Sequence, residues 1–590
     1  MSSRKMKTPR LIREQRRSAP LTQALTEQSL SPLTACIAAA VLVAGIFAIY
    51  WPSLNFQFIL DDHRFVGDPR LQSSGHVWEY FTSYVWAQVA GGPLSFYRPV
   101  FVLWLRLNVI LSGSSPWGWH LLSILKHASV AVLLGLLVSK LLRDRVAALL
   151  AATLFALHPA QTESVAWVTV PDPLMSAALL GSVLLYLRYA EHLSADSQSS
   201  AAKFKKKPRK PPSSKSSGNS SIAWIVASAA ACLAALMAKE TAIVLPIVLL
   251  ALALIVPFNK NKEARKDAPS GNRTGFRIRL VAAVRQTLPF LGVTAVYLLL
   301  RVHALQGQFS PPTQHLPWKT VLLSAPATLW FYVKVLLWPV RPRAFADPSL
   351  TDTFSLRGVL LPGLGVCCVL AVLTGAYFWT GRRTRDLPDQ AALRIRRAFL
   401  LGTLILLLPI LLTLNLNALN PRDFLHGRYA YLSLTGLMLL LATGYHLAEK
   451  AHIVMLSAAA VVALAFCLLT VKQEGAWKDD LTVFTVAHQN APHNAPVAQK
   501  LANTHVQVAL ALDEAGRCDE AMPIFDQVIQ EYPNDWFAWA GRGECFFKLG
   551  DLPSAEHSLR RASELSHEPR VIEQWQELRA RMGLPSVPLE

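Results

Sequence analysis

Eleven apolar runs limit what this 590-residue chain can fold into. They span residues 33–51, 118–142, 146–158, 172–190, 222–238, 242–257, 286–302, 357–379, 399–417, 429–447 and 452–471. A helix of about 20 such residues crosses about 30 Å of hydrocarbon. Backbone in lipid must satisfy its own N–H and C=O groups, so these runs are expected to fold as helices. The expected architecture is all-α: a polytopic membrane bundle of about eleven transmembrane helices over residues 33–471. The run at 146–158 is short for a crossing, and its ends are not sharply marked.

Charge sets the orientation. Only 16% of residues are charged, against about 25% in soluble domains, yet the net charge is +20. The basic residues cluster between runs: Arg143 and Arg145, Lys203 to Lys215, Lys260 to Arg285, and Arg382 to Arg397. With residues 1–32 as a basic cytoplasmic tail lacking a signal-cleavage site, every second loop holds such a cluster, as the positive-inside rule requires. The basicity therefore points to orientation and anionic lipid, and no nucleic-acid signature accompanies it. Counting residues 321–338 as a crossing would put Arg382-Arg383-Thr384-Arg385 outside, so Trp318 to Pro339 is expected to be interfacial or re-entrant. Residues 191–221 and 259–275 carry no apolar period and are expected to be disordered cytoplasmic loops. The seven cysteines show no metal-ligand spacing and read as apolar packing residues.

From residue 472 the composition becomes that of a soluble domain, with a period of 34: Gly516 aligns with Gly550, and Ala521 with Ala555. Ala509, Leu512, Ala521, Phe525 and Pro533 in one unit, and Trp539, Gly543, Phe546, Ala555 and Ala562 in the next, fit tetratricopeptide positions. Repeats are expected at about 502–535 and 536–569, capped by helices near 478–490 and 570–582. An odd number of crossings places the domain 472–590 outside, in periplasm or ER lumen, with the membrane itself a bacterial inner or ER membrane.

Polar groups collect on that same outer face. The first run is followed by Phe56-Gln57-Phe58-Ile59-Leu60-Asp61-Asp62-His63-Arg64. A carboxylate costs about 2.5–3.5 kcal/mol at the membrane centre and less near the interface. Tyr97-Arg98-Pro99 follows, then His120 and His127, then the stretch His158-Pro159-Ala160-Gln161-Thr162-Glu163-Ser164-Val165-Ala166-Trp167, then Asp172. Lys239-Glu240, Arg301, His303, Arg422, His426 and Arg428 complete the set. Each has a plain explanation taken singly: a helix stop at His158-Pro159, a neutralising surface pair at Lys239-Glu240, an interfacial anchor at Arg428. Together they are acids and bases gathered on one face.

This order, ending in Arg428-Tyr429-Ala430-Tyr431-Leu432 and the repeats, resembles the transmembrane-and-tetratricopeptide O-mannosyltransferase family and its prokaryotic relatives, which have the GT-C membrane glycosyltransferase fold. The resemblance covers residues 33–566. Two positions depart from it: the family's Gly-Arg-x-Asp reads Val170-Pro171-Asp172-Pro173, and its Glu-Arg-Tyr reads Gly427-Arg428-Tyr429, with His426 the one polar neighbour in place of the Glu. The resemblance implies a polyprenyl-phosphate sugar as donor and a hydroxyl on protein or glycan as acceptor, with the repeats as a place for the acceptor to dock. Asp61 or Asp62, with Asp61 preferred, would be the general base of an inverting transfer. Arg98, Lys239, Arg301 and Arg428 would hold the anionic leaving group. His158, Glu163, Asp172 and Glu240 would complete the substrate site. No metal and no cofactor is expected. Two other readings compete: a catalytically inactive membrane-anchored repeat scaffold, and a transporter, though no internal repeat of spans is visible.

Overall fold

The computed structural model describes residues 32–87, 96–204, 217–255, 272–307, 316–340, 350–418 and 425–585. These residues are almost entirely helical, and no strand occurs among them. The chain divides into two compact units, one reaching Lys478 and the other holding Asp479–Glu590. Residues 1–31 of the basic tail, Arg422, and residues 205–216 and 259–271 of the expected disordered loops lie outside the described residues.

The first unit is built from α1 (Pro32–Tyr50), α2 (Pro99–Ser112), α3 (Pro116–Leu142), α4 (Arg145–Ala156), α5 (Asp172–Phe204), α6 (Ser217–Ala238) and α7 (Leu245–Ile255). It continues through α8 (Asn272–Ala304), α9 (Trp318–Leu337), α10 (Leu361–Arg383), α11 (Asp389–Leu412), α12 (Tyr431–Leu447) and α13 (His452–Glu474). Ten helices among the described residues are long and apolar enough to cross a membrane.

The reading from sequence differs in three places. The runs at 146–158 and 242–257 form the short α4 and α7, which fall outside those ten. At 1.5 Å per residue such helices reach only part of the way across hydrocarbon. The loops expected to be disordered are partly helical: α5 continues to Phe204 and α6 begins at Ser217, both within 191–221, and α8 begins at Asn272, within 259–275, because extending an existing helix costs little. By length and composition α9 is one of the ten, although an interfacial helix is expected there. Its two ends make contacts that bear on this. Before it, the Leu316 N–H donates to Asn417 Oδ1 (2.8 Å), just beyond the end of α11. At its last turn, the Leu336 carbonyl accepts from His158 Nε2 (3.1 Å), just beyond the end of α4.

Charges hold the opposite end of the bundle as well. Asp144 caps α4 by accepting from the Ala147 N–H (3.0 Å) and also bonds His446 Nδ1 (2.9 Å) at the end of α12. Helices α11 and α12 touch backbone to backbone at Gly402 and Gly436. A Cβ on Gly436 would lie 2.4 Å from Leu406 N and 2.6 Å from the Gly402 carbonyl oxygen. Small residues at such crossings are what allow helices in lipid to pack closely.

The second unit is a run of antiparallel helix pairs: α14 (Asp480–Asn490), α15 (Ala495–Glu514), α16 (Cys518–Glu531), α17 (Trp536–Lys548), α18 (Leu552–Ser566) and α19 (Pro569–Arg581). Gly516 and Gly550 both have positive φ (75° and 84°) and end the first helix of each pair, which explains their spacing. Ala521 and Ala555 are fully buried where the helices of a pair meet.

Gly436→Ala is expected to lower bundle stability by about 1–3 kcal/mol through overpacking. Gly444→Ala on the same helix, with nothing within 4 Å of its Cβ position, should be neutral or slightly stabilising. Thermal unfolding in detergent compares them, and equal shifts would refute the close-contact argument.

Candidate active site

After α1 the chain makes one 3-10 turn, Trp51–Asn55, then runs extended to Ile59. Leu60 follows with φ 55°, a left-handed conformation that costs an ordinary residue about 1–2 kcal/mol. Asp62 stabilises the turn. Its N–H donates to the Ile59 carbonyl (2.9 Å), and its Oδ2 accepts from the Ile59 N–H (3.2 Å). Its Oδ1 accepts from both the N–H (3.2 Å) and the Oγ1–H (2.6 Å) of Thr169. Asp62 is fully buried, and burial pushes its carboxyl up to about 7 against the pull of the Thr169 and Ile59 hydrogen bonds. The two adjacent acids therefore part company: Asp62 clasps a second loop, while Asp61 lines a cavity.

That cavity, of about 510 Å³, brings together Asp61, Arg98, Lys239, Glu240, Arg301 and Arg428. These six candidates come from loops and helix ends spread over most of the bundle sequence. Arg98 grips Glu240 with two bonds, Nε to Oε2 (2.9 Å) and Nη2 to Oε1 (2.5 Å). Burial alone would raise Glu240, but Arg98, with Arg301 and Lys239 nearby, holds it at about 2. Lys239 Nζ lies 2.6 and 2.7 Å from the two oxygens of Asp172 and 4.7 Å above the Tyr429 ring. The Arg428 guanidinium lies 4.2 Å from the centre of the Trp167 ring and 3.6 Å from Glu163.

Four predicted residues do not line the cavity. Glu163 and Asp172 stand behind it as partners of its cations. Glu163 Oε2 accepts the Arg428 N–H (3.0 Å), and Oε1 bonds His426 Nδ1 (3.1 Å). Burial would raise Glu163, but the His426 and Arg428 contacts outweigh it and keep it below its usual range. His426 thus serves as a partner to an acid and does not replace the Glu that the family pattern places at Gly427. Asp62 has the clasping role already described. His158 is the plain helix stop: Nδ1 accepts from the Ala160 N–H (3.2 Å), Nε2–H donates to the Leu336 carbonyl, and the ring packs on Phe466. Both nitrogens are engaged with backbone, which removes His158 as a substrate ligand in this arrangement.

The sequence reading missed several residues. Lys126 of α3, buried, donates to the carbonyls of Val168 (3.0 Å) and Val170 (3.3 Å) and so holds the loop that carries Thr169 and Asp172. A lysine inside an apolar run was the available signal. The buried indole nitrogens of Trp86 and Trp167, both on cavity-lining residues, have no hydrogen-bond partner. Neither indole carried any signal beyond being an aromatic in an aromatic-rich chain. The cavity lining also includes the apolar residues Ile243, Leu298, Leu411 and Leu412.

A tetratricopeptide repeat family model matches residues 514–582. Protein O-mannosyl-transferase Tmtc1 of Drosophila melanogaster is 31% identical over 182 residues, 30% of this chain and 20% of that protein. Protein O-mannosyl-transferase TMTC3 of Homo sapiens is 36% identical over 156 residues, 25% of this chain and 16% of that protein. The matches thus span a fifth or less of these relatives' own length. An Archaeoglobus fulgidus oligosaccharyltransferase structure aligns with 80% of this chain and 60% of its own, at 13% identity and a TM-score of 0.39, too distant to carry an inference. The resemblance read from the motifs is borne out: this chain is similar to the protein O-mannosyl-transferases over a quarter or more of its length and ends in tetratricopeptide repeats.

Proposed function

We propose that this chain is an integral-membrane glycosyltransferase that moves a sugar, mannose by analogy with its relatives' names, from a polyprenyl-phosphate carrier to a hydroxyl on protein or glycan. The observation that carries this reading is the convergence of Asp61 with Arg98, Lys239, Arg301 and Arg428 on one cavity that apolar residues also line. The acceptor hydroxyl attacks the anomeric carbon while the Asp61 carboxylate takes its proton. The bond from that carbon to the phosphate oxygen breaks on the opposite face, which inverts the centre. The departing phosphate is an anion, and the guanidinium and ammonium groups stabilise it. The apolar lining residues Ile243, Leu298, Leu411 and Leu412 suit an isoprenoid chain.

The same reading places the cavity on the non-cytoplasmic side. Arg145 opens α4, whose far end leads into the loop that bears Glu163, and Arg382, Arg383 and Arg385 precede α11, whose far end lines the cavity, as the positive-inside rule favours. The contacts at both ends of α9 support a helix lying across the site end of the bundle; the other nine long apolar helices then cross, and with the short α4 and α7 also joining the two ends the number of passages stays odd. Helix α13 then ends at the site end, where Trp477 stacks on Trp167 (6.5 Å, 21°), and the repeats begin outside. On this reading the repeats recruit the acceptor. Pro171 and Gly427, where the family has Arg and Glu, favour one rival, an inactive repeat-bearing scaffold.

Three outcomes test the proposal. Asp61→Asn should lower transfer from a polyprenyl-phosphate sugar by a factor of about 10²–10⁴ with donor binding nearly intact; full activity would remove Asp61 as base, and a wild-type protein inactive with every tested donor would favour the scaffold. Asp62 differs in kind. Its folded pKa of about 7 lies above the ordinary 3.8, so its contribution to stability is fully present below about 3.8 and is lost as pH rises through 7. The wild-type melting temperature in detergent should therefore fall between pH 5 and pH 8 more steeply than that of Asp62→Asn, and parallel profiles would contradict the assignment. Deleting residues 499–566 should spare hydrolysis of the lipid donor but impair transfer to a protein acceptor; equal loss of both would indicate a folding role.

A further inference from the structure

The repeat unit contains two cysteines, and they meet. The other five, Cys36, Cys232, Cys367, Cys368 and Cys467, all lie in bundle helices. Cys518 is the first residue of α16, Cys545 lies in the last two turns of α17, and Asp513 is next to last in α15. Three successive helices thus contribute, and the contact crosses from the first repeat to the second. Both thiols donate to one atom, Asp513 Oδ1, from 3.0 Å (Cys518) and 3.1 Å (Cys545). The two sulfurs and the carboxylate oxygen lie within 4.8 Å of one another, and all three residues are buried. The second carboxylate oxygen accepts from Lys548 Nζ at 2.9 Å. Burial and the Asp513 contact push the Cys545 thiol far up, while the thiol and Lys548 hydrogen bonds outweigh burial and hold Asp513 down.

Small apolar packing residues do not need a shared carboxylate. A buried acid that orients two thiols at a single point holds their sulfurs as neighbours. We propose that Cys518 and Cys545 form a disulfide that staples the first repeat to the second, made by exchange with a disulfide-bearing oxidant such as oxidised glutathione or a thiol oxidoreductase. One cysteine, as thiolate, attacks the oxidant's disulfide, joins one of its sulfurs and releases the other as a thiol. The second cysteine then attacks the first cysteine's sulfur and releases the remaining oxidant sulfur. Each cysteine gives up one proton, both protons end on the oxidant's two thiols, and two electrons reduce it. The cysteine sulfurs must close to about 2.05 Å. Asp513 loses two donors but keeps Lys548, so no charge is left buried alone. A structural zinc site is the rival occupant. It has three donors where closed sites use four, and the Lys548 ammonium already stands on the carboxylate.

The test uses the full chain purified in detergent without reductant, incubated with oxidised glutathione, then denatured in N-ethylmaleimide, digested and weighed. The expected result is five alkylated cysteines of the seven and one linked 518–545 peptide pair that dithiothreitol removes. Cys518→Ser and Cys545→Ser should each leave the other thiol open to alkylation. Two alkylated thiols in the folded protein, under conditions that oxidise the same chain in urea, would overturn the proposal. So would one zinc per chain that protects both thiols until a chelator removes it. Alkylation in intact cells before lysis adds a separate reading, because formation in the cell rests on the outward placement of the repeats proposed above. A linked pair there agrees with that placement. A pair reduced in cells yet formed in the purified protein upholds the site and counts against the placement.

Discussion

Charge at the end of an apolar bundle is tolerated when it is paired, and here the pairs join parts of the chain that lie far apart in sequence. Arg98 meets Glu240, Asp172 meets Lys239, and Glu163 meets both Arg428 and His426. Removing one member of the buried Asp172–Lys239 pair strands the other and typically costs about 3–5 kcal/mol, and the partly exposed Arg98–Glu240 pair costs less. The loops that bear these residues therefore cannot drift apart independently. The cavity they surround is held by the same electrostatics that would act on an anionic ligand.

The Asp62 clasp adds a second restraint of another kind. It ties the turn after α1, with Leu60 in a left-handed conformation, to Thr169. Lys126 grips the same loop from the other side through two carbonyls. Asp61 projects from the turn so fixed. A catalytic base works best when its position is set before substrate arrives, and in the proposed reaction these buried polar groups supply that rigidity without touching substrate. The cavity's apolar and cationic lining residues border one space, which in the proposed reaction holds a lipid-linked phosphate.

How much of the site was legible depended on the type of signal. Asp61, Arg98, Lys239, Glu240, Arg301 and Arg428 stood out as charges beside apolar runs, and all six line one cavity. His158 belonged to the most distinctive motif, yet both its nitrogens serve the backbone. Trp86 and Trp167 were invisible, because an indole in an aromatic-rich chain gives no sign of whether its N–H will find a partner. Lys126 was legible in principle as a charge inside a span, but its ligands are backbone carbonyls, which no side-chain pattern announces.

The amino-acid order alone determined the helical character, most of the long apolar segments, the repeat period and the gathering of charges at span ends. Those features follow from local rules: lipid leaves backbone no partner but itself, and a 34-residue period repeats a local packing problem. Tertiary structure decided which acid of the Asp61-Asp62 pair faces the cavity, which cations stand against which carboxylates, and that Cys518 and Cys545 share Asp513. It also decided that both ends of α9 make contact at the site end of the bundle. A composition window sees length and apolarity, whereas the course of a helix is set by what its two ends touch.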